Sequence, residues 1–434
     1  MWLVDQLKLD SAYLKNIKFQ SAGNVTAQVI NAASLPVVMR LFDPAEIGML
    51  NMFIQLMALV TILISFRVEQ VVVLPREDDH AGELVSFVAS IGIVCCTVMT
   101  IAVCGLVVGG VIPTEYRIWV LFLPLTSFIV VFAQAAQQMS QRSSDFRRSG
   151  VSEIVNRGSN SIIAISAGLA AFHGVWLALA TAAGFVGKLF IFRHSLTFLN
   201  WNLARNIVIG RQRIRKCAFG KLLGSIILSH AMLAVTIIAP LIYVSHRYGA
   251  DYTGHFSLVV WTLALPTTLI GVAVGHVFYQ RASQMFANGE KFSSLFVGNA
   301  KILTFVAVPA FLFVGLTGPV IYPFVFGEQW QIAGQTAQLY AVAAALSFIT
   351  VPFERSGLIV NAWWYGPSWQ LARLVTTLGV IYICDRLATP YLTFVGFLTI
   401  QVALLHAVDG IASLFFSRRP KPFSAPSSET GNTN

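Results

Sequence analysis

The chain has 434 residues, 56% of them apolar and only 11% charged, where an ordinary soluble domain carries about 25% charged residues. So little charge excludes a water-soluble body of this size and makes the bilayer the expected solvent. The net charge of +10 comes without a basic helix interleaved with aromatics outside the apolar runs, which argues against nucleic acid, and a membrane protein facing an anionic leaflet accounts for it.

A helix that crosses the hydrocarbon needs about 20 mostly apolar residues. The first such span lies near 20–39, after an N-terminus with no short apolar core and cleavage site, so no cleaved signal peptide is expected. The polar stretch RLFDPAEIGM, from Arg40, then forms a short loop. Pro44 disfavours continued helix, Asp43 is placed to cap the next helix, and Gly48 to help the chain turn. Further spans lie near 49–66, 84–111, 118–138, 151–172 and 175–192, and six more near 222–244, 253–276, 294–317, 332–352, 367–384 and 390–416. The third is long enough to tilt. Three of the five cysteines, Cys95, Cys96 and Cys104, share that third span, and with Cys217 and Cys384 they show no metal-ligand spacing. No G-x-x-x-x-G-K-[ST] loop for ATP is present, and no cofactor is expected.

Lys and Arg set the expected orientation. With the N-terminus in the cytoplasm, the outside loops hold only Arg40, Arg117, Arg247 and Arg386, a bias of about five to one toward the inside. The longest inside loop, about 193–221, divides the spans six and six. The expected fold is thus an all-α integral membrane protein of about twelve transmembrane helices. The expected units are an N-terminal six-helix lobe over 1–205, a C-terminal six-helix lobe over 206–419 and a disordered cytoplasmic tail over 420–434. No sequence repeat links the halves, so duplication rests on span count alone.

Polar residues inside hydrocarbon are costly and face the protein interior or water. Span one carries Ser21, Asn24, Gln28 and Asn31 at helical spacing, and span five carries Glu153, Asn156, Arg157 and Asn160. Gln134, Gln137 and Gln138 end span four, and Gln335 and Gln338 lie in span ten. Two readings are open: hydrogen bonding within a helix bundle, or a hydrated path.

Of the basic residues inside spans, Lys188 sits near an inner end and is expected to snorkel. Arg157, Lys301 and Arg373 lie roughly 10 Å deep from the cytoplasmic side at 1.5 Å per residue. His230, His406 and Asp409 fall at comparable depth. One reading is a shared ionisable layer that receives an anionic headgroup, for which Arg suits a phosphate oxygen pair and Lys acts as a point charge. The other is structural pairing, for instance Asp409 with Arg373 or Lys301.

Three segments carry a family resemblance. RLFDPAEIG, from Arg40, resembles the R-L-y-s-P-e-d-f-G segment of the bacterial Wzx-type oligosaccharide flippases. FRVEQVVVLPREDDHAGEL, from Phe66, resembles their R-y-E-x-A-I-x-L-P segment, and FGEQWQIAG, from Phe326, their F-G-x-x-W-x-x-A-G segment. Arg40, Pro44, Gly48, Arg67, Glu69, Pro75, Trp330 and Gly334 match family positions; Val68 and Gln70 depart from them. The resemblance implies two six-helix lobes around a central cavity, in the bacterial cytoplasmic membrane with both termini inside. It implies no covalent step, hence no enzyme. The implied cargo is a glycan on an undecaprenyl pyrophosphate carrier, moved to the outer leaflet for surface polysaccharide synthesis. Membrane lipids are implied partners, and a glycan polymerase or glycosyltransferases are left open. Asn24, Gln28, Asn31, Asn156, Arg157, Asn160, Lys301 and Arg373 are the candidate substrate-binding residues. Arg67, Glu69, His230, His406 and Asp409 are the candidates for gating or ion coupling, with proton carriage one role for His230, His406 and Asp409.

Three rivals stand beside this reading: a multidrug or ion-coupled exporter of the wider multidrug/oligosaccharidyl-lipid/polysaccharide superfamily, a membrane glycan polymerase or ligase, and a scaffold subunit. The enzyme would need a large outside loop with catalytic groups, whereas Asp251, His246 and His255 form no obvious constellation.

Overall fold

A computed structural model describes residues 11–72, 77–143, 145–172, 174–196, 202–216 and 219–419. Among them the regular structure is helical throughout. In the first half run α1 (Ser11–Leu41), α2 (Pro44–Ser65), α3 (Asp78–Val108), α4 (Thr114–Arg142), α5 (Phe146–Leu169) and α6 (Val175–Ile191). The connecting helix α7 (Leu203–Lys216) follows. The second half holds α8 (Phe219–Tyr248), α9 (Ala250–Pro266), α10 (Val272–Ala287), α11 (Ser293–Phe326), α12 (Gln331–Thr350), α13 (Ser356–Ile359), α14 (Tyr365–Arg386) and α15 (Tyr391–Ser417). A π-helical turn, Thr267–Gly271, joins α9 to α10 so that they make one continuous span. Pro75 and the tail from 420 lie outside the described residues.

Each of the twelve expected spans falls on a helix. Eight of these are long and apolar enough to cross a membrane by composition alone. The other four are α1, α5, α6 and α14. Helix α6 has only 17 residues, and α1 and α5 carry the polar stripes. A helix that turns amides into the protein interior loses apolar signal without losing its place in the bilayer.

The helices form two lobes with one plan. In the first, α1 packs along α5, α5 on α6, and α4 takes α2, α3 and α6 around it. In the second, α8 packs along α14, α14 on α15, and α12 takes α9, α11 and α15 around it. Each of these pairings recurs six spans later, so the two lobes share a packing plan that is invisible in sequence. The lobes meet chiefly where α2 crosses α9 and α8.

That crossing explains Gly48 and Gly254. Gly48 does not turn the chain: it lies inside α2, buried, and a Cβ on it would stand 2.5 Å from the Ala250 carbonyl oxygen. A Cβ on Gly254 would overlap the Pro44 carbonyl. Two glycines let the backbones touch, as small residues do wherever membrane helices approach closely. The turn itself is made by Asp43, extended at φ −72° and ψ 154°, with Pro44 at the first helical position.

Lys188 also departs from its expected role. It is buried at 4% exposure and ion-paired to Glu153 of α5 rather than reaching for the membrane surface. Gln137 of α4 donates to both Ser149 Oγ (3.0 Å) and Glu153 Oε1 (3.4 Å). The backbones of α5 and α6 lie close enough for a Cβ on Gly184 to stand 2.5 Å from Asn156 Oδ1. The Glu153 carboxylate is thus a stronger partner for the ammonium than distant headgroups. Lys188→Met strands that carboxylate inside the lobe and should cost about 3 kcal/mol, at the low end for a broken buried pair because Glu153 keeps some access. Adding Glu153→Gln should restore most of the loss. Thermal unfolding of the detergent-purified variants measures both.

The linker helix α7 docks on α3. Asn206 Nδ2 donates to Ser90 Oγ at 3.0 Å, and Gly210 sits against the Phe87 ring. Arg205, Val208 and Arg211 stay exposed.

Candidate functional site

A cavity of about 330 Å³ opens between the first lobe and α9. Its polar wall comes from α1 and α5, whose long contact brings the two sequence stripes face to face. Gln28, Asn31 and Ser34 contribute from α1, Arg157, Asn160 and Ser161 from α5, and Thr181 from α6. Its apolar wall comes from Leu50 and Ile54 of α2 and from Trp261, Ala264 and Leu265 of α9. Thr268, in the π-helical turn, closes one corner. Pro266 has no N–H to donate, so the local ladder is already broken where the turn widens.

Part of the polar wall is satisfied internally. Ser34 and Ser161 share a hydrogen bond of 2.9 Å across α1 and α5, and Asn160 Nδ2 reaches Thr181 Oγ1 at 3.4 Å. Among the described residues, the side chains of Gln28, Asn31 and Arg157 have no hydrogen-bond or ion-pair partner in the protein. Arg157 is exposed into the opening, about one helical turn along α5 from Glu153 but not joined to the Glu153–Lys188 pair. The result is one guanidinium and two amides presented to a space walled on its far side by tryptophan and leucine. Such a site can hold an anion or a hydroxyl-rich molecule through several hydrogen bonds and stack an apolar ring face on Trp261.

The stripe on α5 divides. Arg157 and Asn160 face the cavity, while Glu153 and Asn156 turn toward α6. Asn156 is buried and Asn24 is exposed, one turn along α1 from Gln28, and neither lines the opening.

Lys301, Arg373, His230, His406 and Asp409 also stand apart from this cavity. Lys301 is exposed on α11 beside Ile302 and Phe305, which are themselves 64% and 82% exposed. His230 Nδ1 lies 2.8 Å from the Ile226 carbonyl of its own helix. In the second lobe Tyr365 donates to Asp409 Oδ1 at 2.7 Å, and His406 Nδ1 lies 2.9 Å from Thr350 Oγ1. The second Asp409 oxygen is buried without a hydrogen-bond partner among the described residues. Arg373 and Glu354 lie within electrostatic range of Asp409, but no direct ion pair joins Asp409 to Arg373 or Lys301. Arg67 and Glu69 form an ion pair of 3.5 Å after α2, with Glu69 buried at 2% exposure. Phe66 and Arg67 both take left-handed backbone conformations to make that turn.

The end of the bundle that carries Arg40 is tied shut across the lobes. Arg40 Nη2 and Nε donate to the carbonyls of Phe324 (2.6 Å) and Val325 (3.0 Å). Trp330 Nε1 donates to the Met39 carbonyl at 2.8 Å, and Gln329 Nε2 reaches Met39 and Phe42. Asn51 Nδ2 donates to Ser257 Oγ at 2.8 Å just inside the glycine crossing. Two of the three sequence motifs, some 285 residues apart, therefore meet at this seam.

Sequence reasoning missed Trp261, Thr268, Ser34 and Thr181 in the cavity, and Tyr365 and Thr350 as partners of Asp409 and His406. Pro266 in mid-span was the signal for the π-helical turn. A tryptophan among leucines carries no signal of which side it faces.

Two packed six-helix lobes flanking a polar cavity define an all-helical, multi-pass membrane protein. The chain belongs to the family described as polysaccharide biosynthesis protein, whose model matches residues 37–334. No curated protein matches the chain. Among solved structures, the lipid II flippase MurJ in an inward closed conformation is similar at 13% identity and a TM-score of 0.61, covering 92% of this chain and 86% of its own. An outward-facing multidrug resistance MATE family transporter of the MOP superfamily is similar at 15% identity and 0.58, covering 93% and 95%. An inward-facing MATE transporter gives 16% and 0.56, covering 93% and 94%. At these identities the likeness establishes the fold.

Proposed function

We propose that this protein carries a lipid-linked glycan from the cytoplasmic to the outer leaflet of a bacterial cytoplasmic membrane, by alternating access and without a covalent step. The observation that carries the reading is the unpartnered trio Arg157, Gln28 and Asn31 in a cavity at the lobe seam. A pyrophosphate and a string of sugar hydroxyls cost several kcal/mol per unpaired group in hydrocarbon. A guanidinium and amides replace their lost water contacts. The family supports polysaccharide synthesis as the pathway. The glycan is carried on undecaprenyl pyrophosphate, and both termini of the protein lie in the cytoplasm, so the Arg40 end is the outer one. The contacts of Arg40, Trp330 and the glycine crossing then hold an outward-closed state, and release of cargo requires them to part.

Deletion of the gene should make a lipid-linked oligosaccharide accumulate where an impermeant glycan-binding probe added outside does not reach it. The wild-type gene should restore outside exposure. Normal exposure of unpolymerised glycan in the deletion strain would overturn the transport reading and favour a polymerase or ligase. The likeness to MATE transporters keeps a drug exporter as the second reading. Drug sensitivity of the deletion strain with intact surface glycan would select it.

A further inference from the structure

A second cavity, about 400 Å³, lies on the opposite side of α2 from the polar one. That volume falls in the range of about 300–1,000 Å³ of ordinary ligand sites. Met52, Phe53 and Leu56 of α2, Trp119 and Leu123 of α4, and Ile242 of α8 line it. Phe53 and Trp119 pack edge to face at 5.8 Å between ring centroids and form its buried floor. One wall belongs to the first lobe and one to the second, so the groove straddles the seam. It occupies the half of each helix nearer the Arg40 end.

Its composition changes along its length. The deep part is apolar throughout, while the end nearest the Arg40 side ends in Tyr116, Ser245 and His246. Arg117 and Arg247 follow Tyr116 and His246 directly in sequence, and both lie at this end of the bundle. The Arg40 side carries few cations. Of those named above, Arg40 is spent on the carbonyls of α11 and Arg386 stacks on Tyr382. Arg117 Nε donates to the Ile112 carbonyl at 3.2 Å and Arg247 is exposed, and each is the sequence neighbour of a residue that lines the groove. A long apolar slot with a cationic mouth complements a single chain bearing an anionic head, and the aromatic floor suits the methyl-branched, unsaturated faces of a prenyl chain.

We propose that this groove binds the polyprenyl chain of a polyprenyl diphosphate in the outer leaflet, with the diphosphate at the mouth near Arg117, His246 and Arg247. The inference rests on the transport reading and places the lipid half of the same cargo. Helix α2 is the partition: Leu50 and Ile54 face the polar cavity, and Met52, Phe53 and Leu56 face the groove. The polar cavity thus holds the diphosphate and glycan during crossing, and the groove holds the chain once the diphosphate has reached the mouth, on the other side of one helix about 10 Å across. Because α4 and α8 belong to different lobes, parting of the lobes widens the groove and frees the chain.

The test uses the full-length protein in nanodiscs with undecaprenyl diphosphate carrying a diazirine in its chain. Photolysis should attach label to peptides spanning Met49–Leu56, Tyr116–Leu123 and Ile242–His246. Unlabelled undecaprenyl diphosphate should compete at least tenfold better than phosphatidylglycerol. Leu56→Trp and, separately, Val120→Trp, both at partly exposed positions, should cut labelling at least tenfold. Equal competition by phosphatidylglycerol would make the groove a site for bulk lipid and overturn the proposal. So would label spread over other helix faces, or unchanged labelling in both tryptophan variants. Failure here with cytoplasmic accumulation still seen in the deletion strain sinks only the groove; normal outside exposure in that strain sinks the transport reading itself.

Discussion

Arg157→Gln is expected to lower surface glycan production at least tenfold while leaving the protein at wild-type level in the membrane. Among the described residues the side chain has no hydrogen-bond or ion-pair partner, so its removal breaks no internal polar contact. It faces a cavity whose other polar groups are neutral. A hydrogen bond to a charged group contributes about 1.5–3 kcal/mol, and each 1.4 kcal/mol is tenfold in an equilibrium constant. Two such bonds to a phosphate therefore exceed any contribution from Gln28 or Asn31. Arg157→Lys should fall between, because an ammonium keeps the charge and loses the two-pronged geometry. The measurement is surface glycan in a complemented deletion strain, read against membrane protein level and thermal unfolding in detergent. Full glycan production by Arg157→Gln would show that the guanidinium does not hold cargo.

The second large effect concerns the seam. Gly254→Leu should hold the Arg40 end open. A Cβ at Gly254 overlaps the backbone carbonyl of Pro44, and backbone cannot move aside as a side chain does. Overpacking costs about 1–3 kcal/mol even where side chains yield, so the upper part of that range is expected. Helices α2 and α9 must separate, and the bonds of Asn51 to Ser257, Arg40 to α11 and Trp330 to Met39 weaken together because all lie at the same end. The reporter is a cysteine in place of Leu35, a cavity-lining residue, in a chain whose native cysteines are replaced. An impermeant maleimide added outside should label it at least tenfold faster with Gly254→Leu than without it, and transport should fail because closure is half of the cycle. Unchanged labelling in a folded variant would mean that another contact closes this end.

The two lobes share a plan but not a use of polar groups. In the first, the Glu153–Lys188 pair neutralises two charges inside the lobe and leaves Arg157 uncompensated toward the cavity. In the second, Asp409 and His406 bond to Tyr365 and Thr350 within the lobe. Among the described residues, the cation that lines the polar cavity therefore comes from the first lobe. An anionic cargo would therefore be held by the first lobe while the second moves against it.

The sequence by itself determined the solvent, the runs that form helices and the place of each polar residue along its run. These are one-dimensional quantities, because run length and position along a span follow from counting residues at 1.5 Å each. The stripes on α1 and α5 were legible for the same reason, since three- and four-residue spacing marks one face and hydrocarbon forbids that face to look outward. Only the tertiary structure decided which faces meet. Lys301 and Arg157 occupy similar places in their apolar runs, yet one is exposed on α11 and the other lines the cavity, because rotation about a helix axis is set by neighbours rather than by spacing. Lys188 met Glu153 because α5 and α6 pack closely enough to bring them together, and Arg40 met Val325 because two lobes built far apart in the chain close at one end. Gly48, an ordinary turn residue in the sequence, became a point of helix contact for the same reason: what a missing side chain is for depends on what stands opposite it.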